Sequence, residues 1–426
     1  MPGIAAGEFT VPGSTGNFSV TGLDLGGEEP DGVFFFGTNN GTEDSVVTGS
    51  PLGQFIGLMY RQWNSPSTIA GQATSVLSTI ARASINGPIH MLQTDALAVD
   101  YSAQEVSLDV DGFTVNFTTV QSNRKVKYIA WKSSNGGGLV FDTTSGAPGI
   151  VDFGWVPSSM IGIGTRDLVG GYAGSANNGQ YISLGAATYQ DINTGHSTSA
   201  MNAVTQGGNQ ARHRLQNPDV LGGPFPMTLY ETAHSGALGT VIMAFLRVER
   251  VGANPNELGF AYQGSASYAS AVAVWDGISS RNDIFIPPTV VGNTVTKDAS
   301  INNANLNVAD AVIYISAAGQ DGGPGAPPGI FGVGVATRDY QGCFRVDGPA
   351  GRLYQSSQRS WCAQVKAGGA HAGITTFNDD ETYTLETEVA GSTGEGIGAF
   401  VFGDIATPVA GAFIPQIYRR RVAITV

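Results

Sequence analysis

The sequence predicts an all-β protein, three tandem β-sandwich modules of jelly-roll-like character with Gly-rich loops and little helix. Three observations carry that expectation. Apolar and polar residues alternate in short runs from end to end, turn-forming clusters separate the runs, and three sequence blocks recur three times in the same order.

Alternation at period two is the mark of a strand with one face buried. Phe113-Thr114-Val115-Asn116-Phe117 sets three apolar side chains on one face and two polar ones on the other. Lys125-Val126-Lys127-Tyr128-Ile129-Ala130-Trp131 continues in the same way and ends almost wholly apolar, and Tyr383 to Val389 alternates without a break. Turn formers such as Pro12-Gly13-Ser14-Thr15-Gly16 and Gly322 to Gly329 lie between the runs. The best helical stretch, Gln72 to Ala83, is short and rich in Ser and Thr.

The recurring blocks divide the chain. The first is an apolar strand after a turn, beginning at Pro30, Pro157 and Ala309. The second begins at Gly53, Gly179 and Gly329, so the spacings are 23, 22 and 20 residues. The third closes each unit as an expected hairpin: Phe113 to Trp131, Phe260 to Trp275, and Tyr383 to Phe402. The resulting modules are 1–135, 136–281 and 282–410, with a C-terminal segment at 411–426. Sequence between the second and third blocks varies most in length, as loops on a fixed scaffold do.

Composition narrows the function. The chain has 60 Gly and 20 Pro, 42% hydrophobic residues, only 13% charged ones and a net charge of −13. Enough apolar surface is present to bury real cores, which excludes a disordered chain. A negative bulk field is the opposite of what a phosphate-neutralising surface needs, so nucleic acid is not an expected partner. No apolar run approaches the ~20 residues of a membrane-spanning helix, and membrane insertion is not expected. The first residues show no basic stretch leading into an apolar one, so no cleaved export signal is expected. Cys343 and Cys362 are then expected as free thiols sooner than as a disulfide.

Catalytic chemistry leaves little trace. The sequence contains no G-x-S-x-G, and none of the five lysines follows a Gly as a phosphate-binding loop requires. The five histidines are scattered and none begins H-E-x-x-H. No cofactor is expected and the chain reads as a non-enzyme. Asp109-Val110-Asp111-Gly112 is a carboxylate pair ahead of a strand, read first as an acidic turn; Asp109 and Asp111 are a weaker candidate for a cation. Asn378-Asp379-Asp380-Glu381 is read in the same way. The basic run Arg419-Arg420-Arg421 is either a charged strand edge or a docking point on an acidic neighbour. Aromatic side chains in or beside the variable loops are candidates for stacking on a sugar or filling an interface: Trp63, Trp155, Tyr189, Tyr340 and Trp361, with Tyr60 and Tyr354 beside them.

The order Glu8-Phe9-Thr10-Val11, Phe18 to Gly22, Pro30 to Thr38, Asp111 to Phe117 and Val126 to Trp131 resembles the β-sandwich module of tailed-bacteriophage virion proteins. Those are tail-fibre, spike and minor structural or decoration proteins. The first unit carries the likeness best, and the other two keep the strand pattern without the Asp-Gly-Phe signature. The resemblance implies a non-enzymatic structural component of the virion, displayed on capsid or tail. Its implied partners are other virion proteins, its own copies as a homotrimer or a pseudo-threefold arrangement, and a host surface glycan. A dedicated carbohydrate-binding adhesin and a polysaccharide-degrading tail spike are the alternatives.

Overall fold

In a computed structural model of the chain, the described residues are 3–48, 54–61, 87–92, 99–142, 149–166, 182–188, 202–206, 212–216, 227–232, 240–250, 254, 256–264, 268–276, 278–285, 294–298, 310–318, 330–347, 352–356, 363–364, 372–377, 382–387 and 395–404. They are all-β, with no helix among them. The helical stretch expected at Gln72–Ala83 lies outside the described residues.

The first strands are β1 (Gly3–Thr10), β2 (Gly16–Thr21), β3 (Gly32–Thr38), β4 (Ser45–Thr48) and β5 (Gln54–Tyr60). They are followed by β6 (Ile89–Leu92), β7 (Val99–Asp109), β8 (Gly112–Thr119) and β9 (Lys125–Lys132). Next come β10 (Asn135–Asp142), β11 (Gly149–Asp152), β12 (Ser159–Arg166), β13 (Ile182–Thr188) and β14 (Asn202–Gln206). Then come β15 (Arg212–Gln216), β16 (Met227–Thr232), β17 (Thr240–Arg250), β18 (Glu257–Gly264) and β19 (Tyr268–Asp276). The last group opens with β20 (Ile278–Phe285), β21 (Thr294–Asp298), β22 (Ala311–Ala318), β23 (Ile330–Thr337) and β24 (Gln341–Asp347). It closes with β25 (Arg352–Gln355), β26 (Ala363–Gln364), β27 (Ala372–Phe377), β28 (Thr382–Thr387) and β29 (Glu395–Asp404).

These strands form six antiparallel sheets in which one order appears three times. The inner sheets run β1-β9-β3-β5, β10-β19-β12-β13 and β20-β29-β22-β23, the latter two extended by β14-β15 and by β24-β25-β4. The outer sheets run β2-β8-β7-β6, β11-β18-β17-β16 and β21-β28-β27-β26. Register matches as well: Phe34 lies between Ile129 and Leu58, Ile161 between Ala273 and Ala186, and Ile313 between Phe400 and Val335. The divisions expected after 135 and after 281 fall inside β10 and β20.

The inner strands are apolar on both faces because both faces are covered. On β3, Val33 and Phe35 enter the core of the first sandwich, with Phe113, Val115 and Phe117 of β8. Their neighbours Phe34 and Phe36 point the other way, into a core shared with Ile161 and Ile163 of β12 and Ile313 and Ile315 of β22. Each such side chain contributes roughly 1.5–3 kcal/mol on burial. The three inner sheets therefore face one another around common apolar side chains, beyond what separate modules require. Contacts run head to tail: β5 touches β10, β13 touches β20, and β23 touches β1. The ring closes.

The structure corrects the expected closing hairpin. Strands β8 and β9 do not pair; β8 lies between β2 and β7 in the outer sheet, and β9 lies between β1 and β3 in the inner sheet. The same split separates β18 from β19 and β28 from β29. The reason is in the side chains. Thr118 on β8 is exposed and Asn116 half-buried, which suits a sheet with one wet face, whereas Val126 to Trp131 of β9 are all buried. A second departure is β4. It leaves the first sandwich and pairs with β25, placing Val47 opposite Leu353 in the inner sheet of the third.

Candidate functional site

The seam between the third and first sandwiches is unlike the other two. The chain runs from β9 directly into β10 and from β19 into β20, so two seams are tethered covalently. The third is closed by side chains and by the exchanged strand β4. A buried charge cluster lies there.

Along β9, Lys127 shares its face with Ile129 and Trp131, which belong to the common core, so the alternation that buries those two also buries an ammonium. Its side chain is 1% exposed. Lys127 Nζ donates to Glu8 Oε2 at 2.6 Å and to Glu43 Oε1 at 3.5 Å. Glu8 is the register partner of Lys127 on β1. Tyr340, at the start of β24, donates its hydroxyl to Glu8 Oε2 at 3.1 Å, and Lys125 Nζ lies 3.9 Å from Glu8 Oε1. Arg345 and Cys343 of β24 are buried in the same region. Two carboxylates around one buried ammonium satisfy the rule that a buried charge must be paired.

Burial pushes the Glu43 carboxyl above the usual carboxylate value, Lys127 pulls it back, and the charge of Glu8 adds to the rise. Burial and the neighbouring Glu8 hold the Tyr340 phenol well above its ordinary value. The Cys343 thiol is free and is pushed up to about 12, mainly by burial, against the hydrogen bond from Ser356. A thiol so protonated is a poor nucleophile. The chemistry suited to this arrangement is clamping.

Among the described residues, register places the cluster once. The strand residues opposite Gly32, Ser159 and Ala311 are Trp131, Trp275 and Phe402. Four residues earlier stand Lys127 opposite Glu8, Ala271 opposite Val140, and Gly398 opposite Ile284. Charge thus occupies the seam without a tether, and apolar residues occupy the matching positions elsewhere. At the other end of the shared core, the Trp131 and Trp275 rings lie 4.9 Å apart and Phe400 lies 6.1 Å from Trp275.

The tether between the first two sandwiches has its own polar hub. Asp31, 4% exposed, accepts from Ser133 N and Oγ, both at 2.8 Å, and from Lys132 Nζ at 3.2 Å. Asn135 donates from its backbone N and from Nδ2 to Asp276, at 2.7 and 2.9 Å. Burial raises the Asp276 carboxyl; the Asn135 bonds lower it and the charge of Asp31 raises it further.

The residues expected from sequence fare differently. Tyr340 and Tyr60 are buried in the shared core, which removes them from the set of surface aromatics. Tyr340 faces inward because its phenol is held by Glu8, and Tyr60 because Gly138 leaves room for its ring. Trp155 is half-buried: it packs on the core of the second sandwich, 5.3 Å from Phe153, beside exposed Val156. Asp111 takes a left-handed φ of 49°, and its Oδ1 accepts from Leu25 N at 2.8 Å and Gly27 N at 3.1 Å. Asp109 accepts from Ser107 and Thr114, so both carboxylates organise a turn and its neighbouring loop. Trp63, Tyr189, Trp361, Cys362, Arg419, Arg420 and Arg421 lie outside the described residues. Sequence reading missed Glu8, Glu43, Lys127, Asp31 and Asp276. For Lys127 and Glu8 a signal existed: each is a charge at the end of an apolar period-two run, Lys127 ahead of Ile129 and Trp131, and Glu8 after Ile4 and Ala6.

Comparison with models of known families, with curated proteins and with solved structures found no match for this chain.

Proposed function

We propose that the chain is a non-enzymatic structural component of a bacteriophage particle, displayed on its capsid or tail. The observation that supports this reading is the shared core: three sandwiches spend their inner faces on one another and make a closed platform. Rigid sheets carrying variable loops are a scaffold for contact with neighbours. Under this reading the partners are other virion proteins, and three-way symmetry is met within one chain in place of a homotrimer. Light scattering should then give a mass near 44.1 kDa in solution. The deciding experiment is immunogold labelling of intact purified particles with antibody to this chain: gold on capsid or tail is expected, and unlabelled particles overturn the proposal.

A second reading, a carbohydrate-binding adhesin, draws on Trp155. An indole half in solvent beside exposed Val156 is a surface on which a sugar ring stacks. Glycan-array binding that is lost in Trp155→Ala supports that reading, and binding unchanged by the substitution removes it.

A further inference from the structure

Among the described residues, the untethered seam combines three things that the other seams lack together: an exchanged strand, a buried ammonium, and a carboxyl on the segment that leads into the exchanged strand. Glu43 stands two residues before β4. It reaches Lys127 of the first sandwich at 3.5 Å while the strand after it pairs with β25 of the third. Moving β4 off β25 would carry Glu43 out of the seam and into water.

We propose that Glu43 is a proton-operated latch on ring closure: its protonation tightens the docking of β4 on β25, and so of the first sandwich on the third. The groups that act on it are Glu8 from β1, Lys125 and Lys127 from β9, and Tyr340 just before β24; Asp44 is its chain neighbour, and Cys343 and Arg345 of β24 stand behind them, near Asp44 and Lys127. Tyr340 and Cys343 titrate far above neutrality and stay uncharged in the relevant range. Docking half-buries the Glu43 carboxyl near the carboxylate of Glu8, and the attraction of Lys127, which Glu8 shares, does not cancel the cost. The docked state therefore holds the Glu43 proton more tightly than the undocked state, where the carboxyl has its ordinary value of 4.5. A group raised in this way favours docking as pH falls from above its docked value toward 4.5, and the advantage is lost as pH rises through the docked value. The closure is tightest in mildly acidic medium. This holds whether or not the chain belongs to a virion.

Amide hydrogen exchange on the intact chain tests the latch. Protection of 45–48 and 352–355, corrected for the intrinsic pH dependence of exchange, should rise by about twofold or more from pH 7 to pH 5. Amides of 126–130, inside the first sandwich, serve as reference and should not follow. Glu43→Gln, which keeps the shape and removes the charge, should show high protection of 45–48 at both pH values. Equal protection at pH 7 and pH 5 in the unsubstituted chain overturns the proposal. So does the same rise in Glu43→Gln, or a rise shared by the reference amides.

Discussion

Lys127 is held by the same alternation that holds Ile129, and that coincidence makes it the most consequential single residue in the seam. Replacing it by Met fills the space but leaves the half-buried Glu8 and Glu43 near one another without the buried counter-charge they share. Removing one partner of a buried pair costs about 3–5 kcal/mol, so Lys127→Met should lower the urea midpoint sharply. Lys127→Met with Glu8→Gln should recover part of that loss, because one of the two stranded charges is removed with it. Recovery of nothing would mean that Lys127 acts through packing alone. Gly57 illustrates the opposite constraint, in which absence of a side chain is the requirement. A Cβ there would collide with the carbonyl oxygen of Pro88, and backbone cannot swing aside as a side chain can. Gly57→Ala should cost at least the ~1–3 kcal/mol typical of overpacking, read as a fall in melting temperature. Cys343 gives a chemical readout of the same interior. With its thiol pushed up to about 12 and buried, it should resist iodoacetamide at pH 8 in the folded chain and react once the chain is unfolded, as mass spectrometry of its peptide would show.

At the scale of single strands, burial class separates two elements that look alike in sequence. β8 and β9 both alternate and follow one another, which suggested a hairpin. Their partners differ because β8 has a wet face and β9 has none. Ile129→Ala on β9 should therefore cost about 2–5 kcal/mol, whereas Thr118→Ala on the exposed side of β8 should stay within about 0.5 kcal/mol, both by urea denaturation. A comparable loss at Thr118 would show that the outer sheet is covered by something else. Strand identity and the all-β class were legible in the sequence, because period-two alternation and turn residues act locally. Pairing was not, since a strand that is apolar on both faces reads the same whether its second face meets its own sandwich or another. The exchange of β4 was hidden for a related reason: Ser45-Val46-Val47-Thr48 is too short to name a partner more than 300 residues away. Tyr340 and Tyr60 stand beside loops in sequence yet are buried, because position along the chain does not fix the direction in which a ring points. The hydroxyl partner Glu8 and the close approach of Gly138 to the Tyr60 ring reveal that both rings turn inward.

For the molecule as a whole, the shared core converts three sandwiches into one mechanical unit. Phe34, Ile161 and Ile313 occupy matched positions on three sheets and bury one another's surface, so no sandwich can open without exposing apolar area on the other two. Covalent tethers secure two seams, and the last depends on β4 and the Glu8–Lys127–Glu43 cluster. Trp131 is a direct probe of that coupling, because its ring packs on Trp275 of the second sandwich. Trp131→Ala should cost about 3–5 kcal/mol. If the three units are coupled, the loss of hydrogen-exchange protection will extend from 126–130 of the first sandwich to 271–274 of the second and 311–315 of the third. Unfolding by urea will then follow a single transition, with fluorescence and circular dichroism superimposing. Separate transitions, or a loss confined to the first sandwich, would mean that the common core is a contact between independent units. The coupled outcome follows from the head-to-tail contacts of β5 with β10, β13 with β20 and β23 with β1, since a closed ring leaves no free end from which one member can peel away.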